Sequence, residues 1–168
     1  MSKKGHQILD QSKINKIIRR IAIEVVENNF SLDELIIVGV LGQGTQMAEI
    51  IAKHIEGIKP SLKTQVAKLT IDKLQPAKSE ISLSIPTASL NQKVVLLVDD
   101  VLNTGRTQAY SLSFLLQVEL QKLETAVLVT RSHTSFPISV TYNGIALSTT
   151  IDEHIEVRLK DEIGAYLY

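Results

Sequence analysis

The chain has no cysteine in its 168 residues. That excludes a disulfide framework, a thiol nucleophile and a thiolate metal site, and it accords with a reducing compartment. Net charge is missing too: 18 basic and 18 acidic side chains balance, so no overall field draws the chain to nucleic acid or to an anionic membrane. No apolar run approaches the ~20 residues of a membrane span. Residues 1–10, with Lys3 and Lys4, hold no apolar core of signal-peptide length. A cytoplasmic protein with no membrane partner is expected. The four histidines, His6, His54, His133 and His154, are scattered without metal-ligand spacing, so surface or structural positions are their default. Internal repeats, low-complexity tracts and linkers are absent. The 44% hydrophobic content at this length suits a single domain, residues 1–168, with a full core.

What is present is an alternation of helical and strand patterns. Residues 11–28 carry Ile14, Ile17, Ile18, Ile21 and Val25 at helical spacing, with Asp10 as N-cap. Residues 35–41 read as a buried strand, and residues 45–56 as a helix with Met47, Ile50, Ile51 and Ile55 on one face. A second strand is expected over 64–71. Residues 72–89 are polar and punctuated by proline, with a hairpin expected over 80–85 and the greatest mobility of the chain. Residues 94–98 and 125–130 read as further buried strands with a helix over 108–116 between them, and short strand-like pieces follow from 138 to 168. This order predicts an α/β fold, a mostly parallel central sheet flanked by helices.

From residue 94 to residue 107 the chain reads Val-Val-Leu-Leu-Val-Asp-Asp-Val-Leu-Asn-Thr-Gly-Arg-Thr. Asp99 and Asp100 stand at the carboxyl end of a buried strand, where open α/β sheets bind ligands, and the following helix offers free backbone N–H groups to an anion. Asn103 opens the turn, Gly105 lets backbone approach closely, and Thr104 and Thr107 supply hydroxyls. Two acids after a strand describe, by themselves, a solvated loop with a helix cap. Strand, acid pair and Thr-Gly-Arg-Thr turn in that order point to a bound phosphate beside carboxylates that serve sugar hydroxyls or a metal. Arg106 reads either as a phosphate clamp or as a solvated turn residue.

This segment resembles the phosphoribosyl pyrophosphate (PRPP) signature of the type I phosphoribosyltransferases. Around it, Ile8-Leu9-Asp10, Arg19-Arg20-Ile21-Ala22, Ile36-Ile37-Val38-Gly39-Val40, the run from Ala126 through Thr130 and Arg131 to His133, and Phe136-Pro137-Ile138 follow the layout of one subgroup. That subgroup comprises the bacterial pyrimidine-operon regulators that double as uracil phosphoribosyltransferases. The resemblance implies the type I phosphoribosyltransferase fold, with a small hood made by the chain termini. It implies displacement of pyrophosphate from the ribose C1 of PRPP by a base nitrogen, with Mg²⁺ as cofactor. By the same resemblance Asp99 and Asp100 are catalytic and metal-binding, and Asn103, Thr104, Gly105, Arg106 and Thr107 hold the 5′-phosphate. Gly42, Gln43 and Gly44 occupy the pyrophosphate loop, and Thr130, Arg131 and Thr149 frame the nucleobase, uracil first. A homodimer or higher homo-oligomer is implied as well.

The chain also departs from that subgroup. Its pyrophosphate loop, Leu41-Gly42-Gln43-Gly44, lacks the usual Lys and Arg. Gly39, Gly42 and Gly44 permit unusual backbone angles and a nest of N–H donors, although a tight strand-to-helix turn explains them equally well. Ile71-Asp72-Lys73-Leu74 stands where the subgroup has Tyr and Arg, and Lys73 reads as a partial stand-in or as a plain surface lysine. Thr130 replaces an acidic residue near the base, and with no Lys or Arg in the pyrophosphate loop weaker PRPP use is the expectation. Ile23, Thr134, Ser139 and Ile145 hold positions where RNA-binding members are expected to carry His, Arg or Lys, so RNA is not an expected partner. Lys16, Arg19 and Arg20 keep a small basic face. The alternative to an enzyme is a non-catalytic PRPP- or nucleotide-binding protein, or an RNA-binding regulator.

Overall fold

The computed structural model describes residues 5–150 and 152–168, so Lys3 and Lys4 lie outside the described residues. The chain opens with strand β1 (His6–Asp10) and helix α1 (Gln11–Asn28). The Asp10 carboxylate accepts a hydrogen bond from Lys13 N at 2.8 Å, which satisfies one of the free donors of the first turn. Ile14, Ile18, Ile21, Ala22, Val25 and Val26 form the buried stripe of α1. Strand β2 (Glu34–Val40), helix α2 (Gln43–Ile58) and strand β3 (Lys63–Thr70) make a strand–helix–strand unit with its strands parallel. A short strand β4 (Ser82–Leu83) and a 3₁₀ turn (Thr87–Leu90) follow. The remaining elements are β5 (Val94–Leu102), α3 (Arg106–Leu115), β6 (Lys122–Arg131), β7 (Tyr142–Leu147), β8 (Ile155–Arg158) and β9 (Gly164–Leu167).

The large sheet has the order β4-β3-β2-β5-β6-β7, with every pairing parallel except that of β4 on β3. Residues 80–85 do not fold back on themselves as a hairpin; they add one antiparallel edge strand, with Leu69 opposite Leu83. Strands β1, β9 and β8 form a separate antiparallel sheet. This is the hood, built from both ends of the chain.

Side-chain alternation along the parallel strands feeds two cores. Leu35, Ile37, Val94, Leu96 and Val98 pack with α1 and α2, while Ile36, Val38, Val40, Val95 and Leu97 pack on the face that holds Leu115 of α3. Burial on both faces is why these strands read as unbroken apolar runs. Helix α2 starts at Gln43 rather than residue 45, because Gly42 turns the chain with φ +103°. Strand β5 runs on to Leu102, paired with Thr130 of β6, so the two acids lie inside the strand rather than beyond it.

At the amino end of the sheet a second acid is buried. Glu124 accepts from the Tyr142 hydroxyl at 2.9 Å and from Asn29 Nδ2 at 2.7 Å, and its Oε1 lies 2.7 Å from Lys122 Nζ. This network ties the end of α1 to β6 and β7. Replacing Glu124 with Ala leaves three polar groups without their shared acceptor and is expected to cost about 3 kcal/mol in urea denaturation. A loss below about 0.5 kcal/mol would mean that the network is dispensable.

Candidate active site at the carboxyl end of the sheet

Asp99 and Asp100 lie at the end of β5, flanked by β2 and β6, with the first turns of α2 and α3 facing the same end. Asp99 is buried, 1% exposed, and Asp100 is half-buried. Asp99 Oδ1 accepts from Asp100 N at 2.9 Å. The ammonium of Lys73, just beyond β3, reaches both acids, at 3.2 Å from Asp99 Oδ1 and 3.9 Å from Asp100 Oδ1. Lys73 is therefore the cation of this site and not a plain surface lysine. Burial pushes the Asp99 carboxyl up to about 7; the neighbouring Asp100 charge adds to the rise and Lys73 opposes it.

The turn after β5 is shaped by Gly105, which adopts a left-handed conformation (φ +83°) as the N-cap of α3. A Cβ there would be strained and would press to 3.3 Å on Ile138. Thr104 Oγ1 accepts from Arg106 N at 3.3 Å, while the Thr104 carbonyl accepts from Ser135 N and Phe136 N. Arg106 is exposed at the first position of α3. Asn103, Thr104, Gly105, Arg106 and Thr107 all line one cavity of about 490 Å³ together with Asp99 and Asp100. That volume suits a small ligand, and a helix N-terminus with free N–H groups beside carboxylates can hold a phosphorylated, hydroxyl-bearing one.

Arg131 lines the same cavity but is engaged by the protein on all three nitrogens. It donates from Nε to Thr149 Oγ1 at 2.8 Å, from Nη1 to Asn103 Oδ1 at 2.7 Å and from Nη2 to Thr150 O at 2.9 Å. It thus fastens the turn after β5 to the segment after β7. His133 Nε2 lies 2.6 Å from Thr149 O and supports that same segment. The Thr130 hydroxyl donates to Ile145 O at 3.4 Å, and Thr130 and Thr149 lie outside the cavity lining.

The turn from β2 to α2 is placed differently from expectation. Of Gly39, Gly42 and Gly44, only Gly42 has an unusual backbone angle. Gly39 and Gly44 are sites of close approach: a Cβ on Gly39 would lie 2.5 Å from Thr45 Cα, and one on Gly44 would lie 2.8 Å from Val98 O and 3.2 Å from Asp99 Oδ1. Gly44 therefore lets α2 rest directly on the acid strand. Gln43 turns away, its Oε1 accepting from Leu159 N at 2.9 Å, which links α2 to the end of the hood. Gly42, Gln43 and Gly44 are not among the cavity's lining residues.

Beyond the segment from residue 94 to residue 107, the lining also takes in Leu74, Gln108, His154 and Ile155, none of them expected from the sequence as site residues. Leu74 is 84% exposed at the rim, a large apolar side chain on a polar loop. His154 and Ile155 come from the hood, far from the signature in sequence, and only the β1-β9-β8 sheet brings them over the cavity. Gln108 directly follows the signature, and its burial is what singles it out.

The raised Asp99 carboxyl has a measurable consequence. Between the ordinary value of 3.8 and about 7 the folded state holds a proton that the unfolded chain has lost, so its contribution to stability falls as pH rises through that window. For ligand-free protein, Asp99→Asn is expected to flatten the decline in unfolding free energy, read by urea denaturation, between pH 5 and pH 7.5, by an amount on the order of a few kcal/mol. Lys73→Met removes the opposing cation and should steepen it. Parallel curves for wild type and Asp99→Asn would place the titration elsewhere.

A family model described as the phosphoribosyl transferase domain matches residues 4–162. The bifunctional protein PyrR of Haemophilus influenzae (strain PittEE) is 31% identical over 168 residues, spanning 95% of this chain and 94% of the relative. The bifunctional protein PyrR of Thermoanaerobacter sp. (strain X514) is 33% identical over 164 residues, spanning 92% and 90%. Among solved structures, a hypoxanthine-guanine phosphoribosyltransferase of Bacillus anthracis matches with a TM-score of 0.78 at 14% identity, over 97% of this chain and 96% of that one. The hypoxanthine phosphoribosyltransferase of Trypanosoma cruzi matches with a TM-score of 0.78 at 12% identity, over 96% and 94%. The structural likeness carries the type I phosphoribosyltransferase fold, and with a family model spanning nearly its whole length the chain belongs to the phosphoribosyl transferase domain family.

Proposed function

We propose that the protein transfers ribose 5-phosphate from PRPP to a nucleobase, uracil by the sequence resemblance, and releases pyrophosphate. The observation that carries this reading is the juxtaposition of the Asp99–Asp100 pair with the helix-capping turn of residues 103–107 around one cavity. The backbone N–H groups of that turn and the hydroxyls of Thr104 and Thr107 hold the 5′-phosphate, with the dipole of α3 in support. The acid pair takes the ribose hydroxyls and places negative charge beside C1, where positive charge develops as the bond to pyrophosphate breaks. Arg131 keeps the turn in place through Asn103.

The acid pair also fits Mg²⁺. A cation already sits on both carboxylates in the form of the Lys73 ammonium. The described residues hold no cluster of three or more metal-ligating side chains, which matches an ion held by one or two carboxylates and completed by ligand oxygens and water. Bound there, Mg²⁺ would neutralise charge on the leaving pyrophosphate. Ligand binding at the acids releases Lys73, and its ammonium, on a side chain 46% exposed, becomes the cation for the pyrophosphate in place of the basic residues absent from the Leu41–Gly44 turn.

A second reading, a PRPP- or nucleotide-binding protein without turnover, is favoured by the same turn, since Gln43 is committed to Leu159 and supplies nothing to the cavity. RNA binding gains no such support: Arg20 of the basic face donates to Glu24 and to the carbonyls of Asn143 and Gly144. A cytoplasmic homo-oligomer completes the proposal, and no helix among the described residues is long and apolar enough to cross a membrane.

Pyrophosphate release from PRPP with Mg²⁺ and uracil, hypoxanthine, guanine or adenine in turn, beside calorimetric titration of PRPP, tests the reading. Base-dependent release is expected, with uracil giving the highest rate and the Asp99→Asn/Asp100→Asn double variant losing at least ~100-fold. PRPP binding without release under any base would support the second reading. Leu41→Lys, a change at an exposed position of the short turn, should tighten PRPP binding severalfold if pyrophosphate lies against that turn; unchanged binding would place it elsewhere.

A further inference from the structure

Gln108 lies on the buried stripe of α3 with Ser111 and Leu115. The Ser111 hydroxyl is satisfied by Thr107 O at 2.8 Å. Gln108 is not: it is 1% exposed, and neither its Oε1 nor its Nε2 has a hydrogen-bond partner. Burying an amide in that state is costly, and a methionine of similar volume would fill the position with no polar atom to satisfy. The other buried side-chain atoms without partners, on Gln46, Ser79 and Asn143, are single atoms on residues outside the cavity lining. Among the described residues Gln108 is alone in leaving both ends of an amide open, and it lines the cavity one residue past the phosphate turn.

We propose that Gln108 is a ligand-binding residue of this cavity and that its amide takes a hydroxyl of the bound phosphosugar. A hydroxyl donates one hydrogen bond and accepts others, so it can satisfy Oε1 and Nε2 together. A phosphate, which only accepts, would leave Oε1 unpaired. The sugar is the part of such a ligand that carries hydroxyls, and Gln108 lines the one cavity that also holds the acid pair and the turn. The inference rests on the functional reading above and deepens it, because it adds to the acid pair a second group that reads the sugar.

The test compares wild type with Gln108→Met and Gln108→Leu by thermal melting of the ligand-free protein and by calorimetric titration of ribose 5-phosphate and, separately, inorganic phosphate, each with Mg²⁺. Both variants are expected to melt at or above the wild-type temperature, because an unsatisfied amide is gone. They should bind ribose 5-phosphate about tenfold more weakly while inorganic phosphate binds as before. Undiminished ribose 5-phosphate binding would overturn the assignment and leave the functional reading standing. Equal weakening for both ligands, or variants that melt well below wild type, would overturn it too, since the amide would then be shaping the fold. Wild-type protein that binds neither ribose 5-phosphate nor PRPP would remove the functional reading and this inference with it.

Discussion

A carboxylate taken out of water has to be paired, hydrogen-bonded or protonated, and Asp99 is held where all three pressures act. It stands at the end of β5, between β2 and β6, beneath the first turn of α2, and it shares one lysine with Asp100. The surrounding architecture keeps this unfavourable arrangement in place. Two hydrophobic cores, one on each face of the sheet, fix β5 so firmly that the strand cannot slide or turn its acids into solvent. The site gains from that rigidity two acids held side by side on one lysine.

The hood and the turn after β5 are coupled to the same point by a few long-range hydrogen bonds. Arg131 joins Asn103 to Thr149 and Thr150, and Gln43 joins the start of α2 to Leu159 after β8. These links cross between the two sheets at the carboxyl end, where the parallel strands leave a gap. They close the cavity from above and bring His154 and Ile155 to it. Polar side chains at this end hold the site together, as the Glu124 network does at the opposite end of β6.

Charge that the chain lacks in one loop it supplies from another. The β2–α2 turn has no basic side chain, yet Lys73, after β3, lies on the acid pair. Because β3 is the neighbour of β2 and β2 of β5, a lysine from β3's carboxyl end reaches acids two strands away across the top of the sheet. A parallel sheet gathers such loops at one edge, so a cation from a different loop can serve the same ligand.

The sequence by itself determined the alternation of elements, the two-faced burial of the strands and the existence of a Gly-containing, hydroxyl-rich turn beside two acids. Those features arise from local pattern: apolar runs, helical spacing, and Gly105 where the chain needs a left-handed residue. It was equally sufficient for Asp10 as a cap and for a helix over Gln11–Asn28. Only the tertiary structure decided which side chains meet in the cavity. Gln43 was legible as a polar residue in the right turn, but its partner, Leu159 N, lies more than a hundred residues away. His154 has no local mark of function, Lys73 was legible only as one of two readings, and Gln108 looks in sequence like any polar helix residue until burial strips it of water. Pairing across such distances depends on strand order and register, which set the partners of a side chain without leaving a periodicity that can be read along the chain.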